Sequence, residues 1–227
     1  MEPRRRVRSF VRRAGRVTSA QARALAQLWP SFGIETPEEQ LDLAALFGRD
    51  APRICEIGFG DGQALAELAL RQAENDFIGI EVHEPGIGHL LLNIERHCLH
   101  NVRIIRHDAI EVLESWLPAA SLDRVHVFFP DPWPKKRHHK RRLIQPGFIC
   151  ALANAIKPGG VLHMATDWEH YAEQMREVAD ASTQFDNLAG SGCYSPDRAD
   201  RPETKFERRG LRLGHEVRDL LYRRRAG

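Results

Sequence analysis

The run Glu56-Ile57-Gly58-Phe59-Gly60-Asp61-Gly62 combines glycine at alternate positions with two carboxylates. The glycines permit a tight turn and bring a ligand close to backbone N–H groups. The acids constrain the ligand's charge. A pyrophosphate would be repelled by Glu56 and Asp61 at a helix start, whereas a ligand carrying a sulfonium and an α-ammonium suits them. The glycine pattern of nicotinamide-binding folds also wants Gly or Ala where this chain has Gln63. S-adenosylmethionine is therefore the favoured cofactor, with a nicotinamide as the alternative. Glu81, 23 residues beyond Gly58, is placed to accept from both ribose hydroxyls, a role that does not separate the two cofactors. Asp108, after the next apolar run, is placed to accept from the adenine amino group.

A second constellation follows Val125-His126-Val127-Phe128-Phe129. Pro130-Asp131-Pro132-Trp133-Pro134-Lys135 is stiffened by three prolines, each of which fixes its own φ and extends the residue before it. In an extended chain alternate residues share a face, so Asp131, Trp133 and Lys135 are expected to point together. A carboxylate, an indole and an ammonium on one face suit a planar base. Beyond them Lys135 to Arg142 reads KKRHHKRR with no acid, and Met1 to Arg16 carries seven arginines against Glu2 alone. Two such blocks are the footprint of a phosphate-bearing partner. His138 and His139 are not expected to hold a metal. Neighbouring histidines of an extended chain face opposite ways, and six cations flank them.

The elements that must position these residues alternate. Strands are expected at Arg53–Ile57, Phe77–Glu81, Val102–Arg106, Arg124–Phe129 and Val161–Thr166. Helices are expected near Gln63–Gln72, Pro85–Leu99, Ile110–Trp116, Gln145–Ile156 and Trp168–Ser182. Such βα alternation implies right-handed crossovers and a mainly parallel α/β sheet covered on both faces. Segments near Phe185–Leu188 and His215–Arg223 are suited to close one edge antiparallel. Ahead of this core, Thr18 to Leu28 has helical spacing and Trp29-Pro30 reads as a turn. Thr36-Pro37-Glu38-Glu39 carries the cap hydroxyl, first-turn proline and glutamate of a helix start. Residues 1–30 are thus expected to form a basic arm and lead-in helix, the arm mobile without its phosphate-bearing partner, and residues 31–227 a single domain.

At 227 residues and 42% hydrophobic content, the chain can bury one such core. Its net charge is only +2, yet 28 of its 33 basic residues are arginine, the type suited to bidentate phosphate contacts. Cys55, Cys98, Cys150 and Cys193 lie 43, 52 and 43 residues apart, which leaves no zinc knuckle and points to reduced thiols. No apolar run approaches the roughly 18 residues a membrane span needs. The Arg-rich start lacks the apolar centre of a secretory signal; an organellar transit peptide is the lesser alternative to a cytoplasmic protein.

Matching stretches across nearly the whole chain give it a family resemblance. They are RSFVRRAGRVTSAQ (Arg8 to Gln21), EIGFGDG (Glu56 to Gly62), GIEVHEPG (Gly79 to Gly86), HDA (His107 to Ala109), FPDPWPKKRHHKRR (Phe129 to Arg142), ATDWEHYAEQM (Ala165 to Met175) and TKFERRG (Thr204 to Gly210). On them the chain resembles the bacterial tRNA (guanine-N7)-methyltransferases, and PDPWPKKRH and TKFERRG are the specific ones. The resemblance implies the seven-stranded, Rossmann-like methyltransferase sheet and methylation of the variable-loop guanosine 46. It implies that Glu56, Glu81, Asp108 and Asp131 bind the cofactor beside Gly58, Gly60 and Gly62, with Asp131 also catalytic. Lys135, Asp167, Thr204, Lys205, Phe206 and Glu207 are implied to contact the substrate, and Arg137, His138, His139, Lys140, Arg141 and Arg142 the RNA. Taken alone, Thr204 to Glu207 look like an ordinary polar loop. A monomer without metal, with tRNA as its partner, is expected. Besides the nicotinamide oxidoreductase, a non-catalytic RNA-binding module on a methyltransferase fold stays as an alternative.

Overall fold

The computed structural model describes residues 15–212 and 214–226; of the expected arm Arg4 to Arg16, the arginines up to Arg13 lie outside them and Arg16 is exposed. In chain order the elements are α1 (Ser19–Phe32), β1 (Gly33–Ile34), α2 (Leu43–Phe47), β2 (Arg53–Ile57), α3 (Gln63–Arg71), β3 (Asp76–Ile80), α4 (Glu84–His97), β4 (Val102–Ile105), α5 (Ala109–Glu111), β5 (Leu122–Phe128), α6 (Pro146–Ala155), β6 (Ile156–Thr166), α7 (Glu169–Asp180), β7 (Phe185–Asn187), α8 (Lys205–Arg212) and β8 (Arg218–Arg224). Among the described residues, eight strands form one sheet in the order β1-β4-β3-β2-β5-β6-β8-β7. The pairs from β1 through β6 are parallel, while β8 lies antiparallel to both β6 and β7. No helix among the described residues is long and apolar enough to cross a membrane.

The neighbouring inner strands β2 and β3 are buried at every position, as strands covered on two faces must be. Their side chains alternate between two cores. Cys55, Ile57, Ile78 and Ile80 join the layer built with Phe148, Leu152, Tyr171 and Met175 of α6 and α7. Ile54 and Phe77 join Ala24, Leu65, Leu68, Leu90 and Leu91 of α1, α3 and α4 on the opposite face. The strand order reverses between β2 and β5. In an open α/β sheet that reversal leaves a crevice outside the carboxyl ends of the strands.

Three expectations need correction. The sheet has eight strands rather than seven, because Gly33 and Ile34 pair with Ile104 and Ile105 at the β4 edge. A two-residue strand is too short to show any period. Trp29-Pro30 is not a turn, and the boundary expected at residue 30 falls inside α1. The proline sits in the last turn, where its missing N–H removes one bond, and the helix closes with Gly33 N–H on the Trp29 carbonyl. The helix anticipated at Thr36 does not form. Thr36, Glu38, Glu39 and Gln40 are exposed and offer no apolar face to bury, so the next helix, α2, starts at Leu43 under an Asp42 cap.

Thr18 and Gln21 cap α1 reciprocally, at 3.3 and 2.9 Å. Gln21 also donates to the Pro85 carbonyl at 3.1 Å, which ties α1 to the first turn of α4. The cap of α3 is Gly62, at φ 70°, and a Cβ there would lie 2.6 Å from the Cβ of Leu90. Gly62→Ala is therefore expected to lower stability by about 2–4 kcal/mol, the summed cost of a left-handed backbone and of overpacking. A fall in the urea midpoint with unchanged slope is the signature to look for.

Candidate active site

A cavity of about 240 Å³ opens at the sheet's reversal point. Its walls include Glu56 to Asp61 at the end of β2, Ile80 to Val82 at the end of β3, His107 and Ala109 after β4, Phe128 to Asp131 at the end of β5, and Glu203 with Thr204. Glu56 is 4% exposed, and its Oε2 finds no hydrogen-bond partner among the described residues. Burial, reinforced by the negative charges of Asp61 and Glu81, pushes its carboxyl up to about 8. A buried, unpartnered carboxylate facing two more acids is a site for a cationic ligand group.

Glu81 is held by its own backbone surroundings. One oxygen accepts from the N–H groups of Val82 (2.7 Å) and His83 (3.0 Å), the other from Gly60 (2.9 Å). Gly58 and Gly60 take φ of 72° and 61°, conformations that cost a residue with a Cβ. Gly86 packs its backbone against the Gly60 carbonyl. Gly58, Gly60, Glu56, Glu81 and Asp131 thus share one cavity, whereas Gly62 belongs to the packing of α3 on α4. Asp108 does not line it. Its carboxylate accepts from Ile110 N–H at 2.9 Å and caps α5, while its neighbours His107 and Ala109 face the cavity. Only Oδ1 is used in that cap.

The proline-rich segment is not uniformly extended. Phe129 still pairs with the Ala165 carbonyl at 2.8 Å, but Phe129 and Trp133 take φ of 51° and 43°. Both residues precede a proline, which by itself favours an extended chain; their positive φ overrides that preference and breaks the shared face of Asp131, Trp133 and Lys135. Asp131 enters the cavity wall; Trp133 and Lys135 do not. The indole instead lies under the Arg141 guanidinium at 5.0 Å and meets the edge of His138 at 5.7 Å. Lys136 to Arg141 then form a 3₁₀-helix, another departure from the extended chain expected. His138 and His139 are pushed below their usual range, first by loss of solvent and then by neighbouring cations that include Arg137 and Arg142 respectively. The positive charge of the segment therefore rests on its lysines and arginines. No group of three or more His, Cys, Asp or Glu among the described residues is arranged to hold a metal.

Arg142 departs from the RNA surface altogether. It is 2% exposed, donates to the Pro132 carbonyl at 2.8 Å and to Gln174 at 2.6 Å, and lies over the Tyr171 ring at 4.8 Å. It is a bolt between the proline loop and α7, inaccessible to phosphate. Arg137 and Lys140 are exposed.

Thr204 and Glu207 also behave differently from a polar loop. Thr204 accepts from Glu207 N–H at 3.1 Å and Glu207 accepts from Thr204 N–H at 3.4 Å, a reciprocal cap opening α8. The T-x-x-E spacing was the signal for it. Glu207 is 6% exposed and both its oxygens face Arg201, so the substrate contact implied for it competes with a pairing inside the chain. Asp167 is partly buried near His215 at 3.4 Å, outside the cavity wall. Of Lys205 and Phe206 the side chains lie outside the described set. Reasoning on the sequence also missed Phe128, His107 and Glu203 as walls, since nothing local marks them.

Comparison with known proteins bears on this arrangement. A family described as "Putative methyltransferase" matches residues 50–220. A tRNA (guanine-N(7)-)-methyltransferase of Alkalilimnicola ehrlichii is 57% identical over 223 residues, 97% of this chain and 94% of that protein. One of Alcanivorax borkumensis is 55% identical over 98% of this chain and 93% of its own length. The chain belongs to the tRNA (guanine-N(7)-)-methyltransferase family. Among solved structures, the 16S rRNA methyltransferase KamB superposes with a TM-score of 0.59 at 14% identity, over 86% of this chain and 99% of that one. The aminoglycoside resistance methyltransferase NpmB1 gives 0.55 at 16%, over 85% and 98%. Those two likenesses show the fold. Membership of an S-adenosylmethionine-dependent family sets the nicotinamide alternative aside. The unpartnered Glu56 oxygen fits that cofactor, because its amino-acid end carries the cation the cavity lacks.

Proposed function

We propose that this chain transfers a methyl group from S-adenosylmethionine to N7 of guanine in tRNA, at the variable-loop guanosine 46. The observation that supports it best is one cavity holding both the buried, unpartnered Glu56 and the wall residue Asp131, with an exposed cationic helix directly following. Bound there, the cofactor supplies an electrophilic methyl on a sulfonium. Glu56 pairs with its cationic end, and Glu81 and the Gly58–Gly60 turn hold the nucleoside.

Guanine N7 carries an in-plane lone pair and no proton, so the chain needs no base to deprotonate it. Orientation dominates, an effect that reaches roughly 7–11 kcal/mol in favourable cases. The product purine is cationic, and Asp131 stabilises the charge as it develops. Asp167 accepts from the Watson–Crick edge of the guanine. Lys135, exposed beside the cavity, contacts O6 or a phosphate, since donation to N7 would tie up the nucleophile. Lys135→Ala should then raise the KM for RNA more than it lowers kcat; the opposite split would count against this role.

The major groove of A-form RNA is deep and narrow, so N7 is reached in loops or splayed bases. Arg137, Lys140 and Arg141 hold phosphates around such a loop. Replacing Arg137 and Lys140 together by Gln is expected to flatten the log–log salt dependence of tRNA binding by about 1.4 to 1.8 units, with single-turnover methylation at saturating RNA little changed. The reading as a whole is tested by mass spectrometry of nucleosides from unmodified tRNA incubated with protein and cofactor. Absence of 7-methylguanosine, or its appearance in the tRNA at another position, would refute the corresponding part.

A further inference from the structure

Arg201 lies 70 positions beyond Asp131, the nearest in sequence of the residues assigned to the cofactor, yet it touches Phe128 and Phe129 of the cavity wall and reaches Thr204 through Glu207. Its side chain has no exposed surface. Nε and Nη2 donate to both oxygens of Asp219 on β8, at 2.7 and 2.8 Å. Nη1 and Nη2 donate to both oxygens of Glu207 on α8, at 2.6 and 3.3 Å. The guanidinium sits over the rings of Phe128 and Phe129 at 5.7 and 5.3 Å, close enough for cation–π attraction. Asp219 in turn meets His163 Nε2 on β6 at 2.8 Å.

Two of these contacts end at the cavity, and Asp219 ties them to the edge of the sheet. Glu207 caps Thr204, a cavity wall residue. Phe129 is held at φ 51°, a conformation that persists in a bulky residue only when its surroundings over-determine it, and it sets the exit direction of Pro130 and Asp131. We infer that Arg201 is a positioning residue for methyl transfer, fixing the Thr204 wall against the Phe129–Asp131 loop through one guanidinium.

Stability alone is a weak reason for such a group. A guanidinium between two carboxylates carries a heavy desolvation cost, and apolar residues of equal volume often match or exceed it in stability. An apolar side chain would fill the space, but it would not hold the cap of α8 in register with β8. The planar fork does both, with two bidentate pairs set at right places on two elements.

This inference rests on the function proposed above, and its test separates the two. Full-length wild type and Arg201→Lys are compared in single-turnover methylation of unmodified tRNA, with S-adenosylhomocysteine and tRNA affinities measured beside it. The expected result is a rate constant lowered by about a hundredfold, the scale of a small misplacement at a reacting centre, with tRNA affinity within twofold to threefold of wild type. A merely structural role would lower the reacting amplitude, which counts folded molecules, and leave the rate constant alone. If Arg201→Lys is unfolded at the assay temperature, Asp219→Asn is read instead. It keeps the side-chain shape and one acceptor, and about a fivefold loss in rate constant is expected. A rate constant within twofold of wild type in the folded variant that is read would overturn the positioning role. Wild-type protein inactive on tRNA would overturn the functional reading and this inference with it.

Discussion

Asp131→Asn is expected to lower the single-turnover rate of methyl transfer by about 10²-fold or more, with tRNA affinity within about threefold of wild type. Asparagine keeps the shape and one acceptor oxygen of the side chain and removes only its charge. The guanine turns from neutral to cationic along the reaction, so a carboxylate in the cavity wall binds the transition state more tightly than the ground state, which is what accelerates a chemical step. Removing one preorganised donor aimed at developing charge costs roughly 2.7–4 kcal/mol in a water-excluded oxyanion site; Asp131 is exposed in the ligand-free protein, so the lower end of that range is the one expected once cofactor and guanine cover it. The position of Asp131 is set by neighbours with no role in the chemistry. Phe129 turns the chain out of β5, and Arg142 holds the Pro132 carbonyl from behind. The Asn variant should therefore leave the loop in place. Rapid-quench measurement with labelled cofactor reads the rate constant directly. An unchanged constant would mean that Asp131 acts through position alone or not at all.

The parallel core was legible because its strands are short runs rich in Ile, Val and Phe, separated by amphipathic stretches of helical length, and tertiary structure had little to override. The chemistry at the strand ends was legible for the same reason, since glycines and acids there have few other uses. What escaped was decided by partners distant in sequence. Thr36-Pro37-Glu38-Glu39 and Thr204-Lys205-Phe206-Glu207 carry the same cap signal; the first forms no helix and the second opens α8. The difference is that Glu207 has Arg201 to bind and Arg201 has Asp219 on another strand, which no local pattern records. Arg142 and Asp108 illustrate the converse. Each is a residue type suited to a ligand, and each is engaged inside the fold, on Pro132 and on Ile110. In a run of adjacent cations, only burial tells the one bolted inward from those left to face a phosphate.

Glu56 gives the sharpest pH-dependent expectation. Its carboxyl titrates near 8 in the ligand-free protein because burial, then Asp61 and Glu81, oppose its charge. At pH 7 it is roughly nine-tenths protonated on that value. A ligand presenting an ammonium to it favours the ionised form, so binding of S-adenosylhomocysteine at pH 7 should release close to one proton. Calorimetry in buffers of different ionisation enthalpy measures that number, and affinity should rise by up to about tenfold per pH unit between pH 6 and 7.5. Glu56→Gln removes the proton release and the slope together, and weakens binding at pH 7.5 by roughly 10- to 150-fold, the value of a buried charge-assisted contact of about 1.5–3 kcal/mol. Stability moves the other way. The raised carboxyl stabilises the fold fully only below the unfolded value near 4.5, and that contribution is lost as pH rises toward 8, on the order of 3 kcal/mol by pH 7. The Gln variant has no such loss, so without ligand it should melt higher than wild type at pH 7 to 8 while binding cofactor worse. Opposite signs in the two measurements are what a carboxylate kept for its ligand must produce. A Glu56→Gln protein that melted lower than wild type in that window, or bound S-adenosylhomocysteine as tightly, would show that Glu56 serves the fold instead.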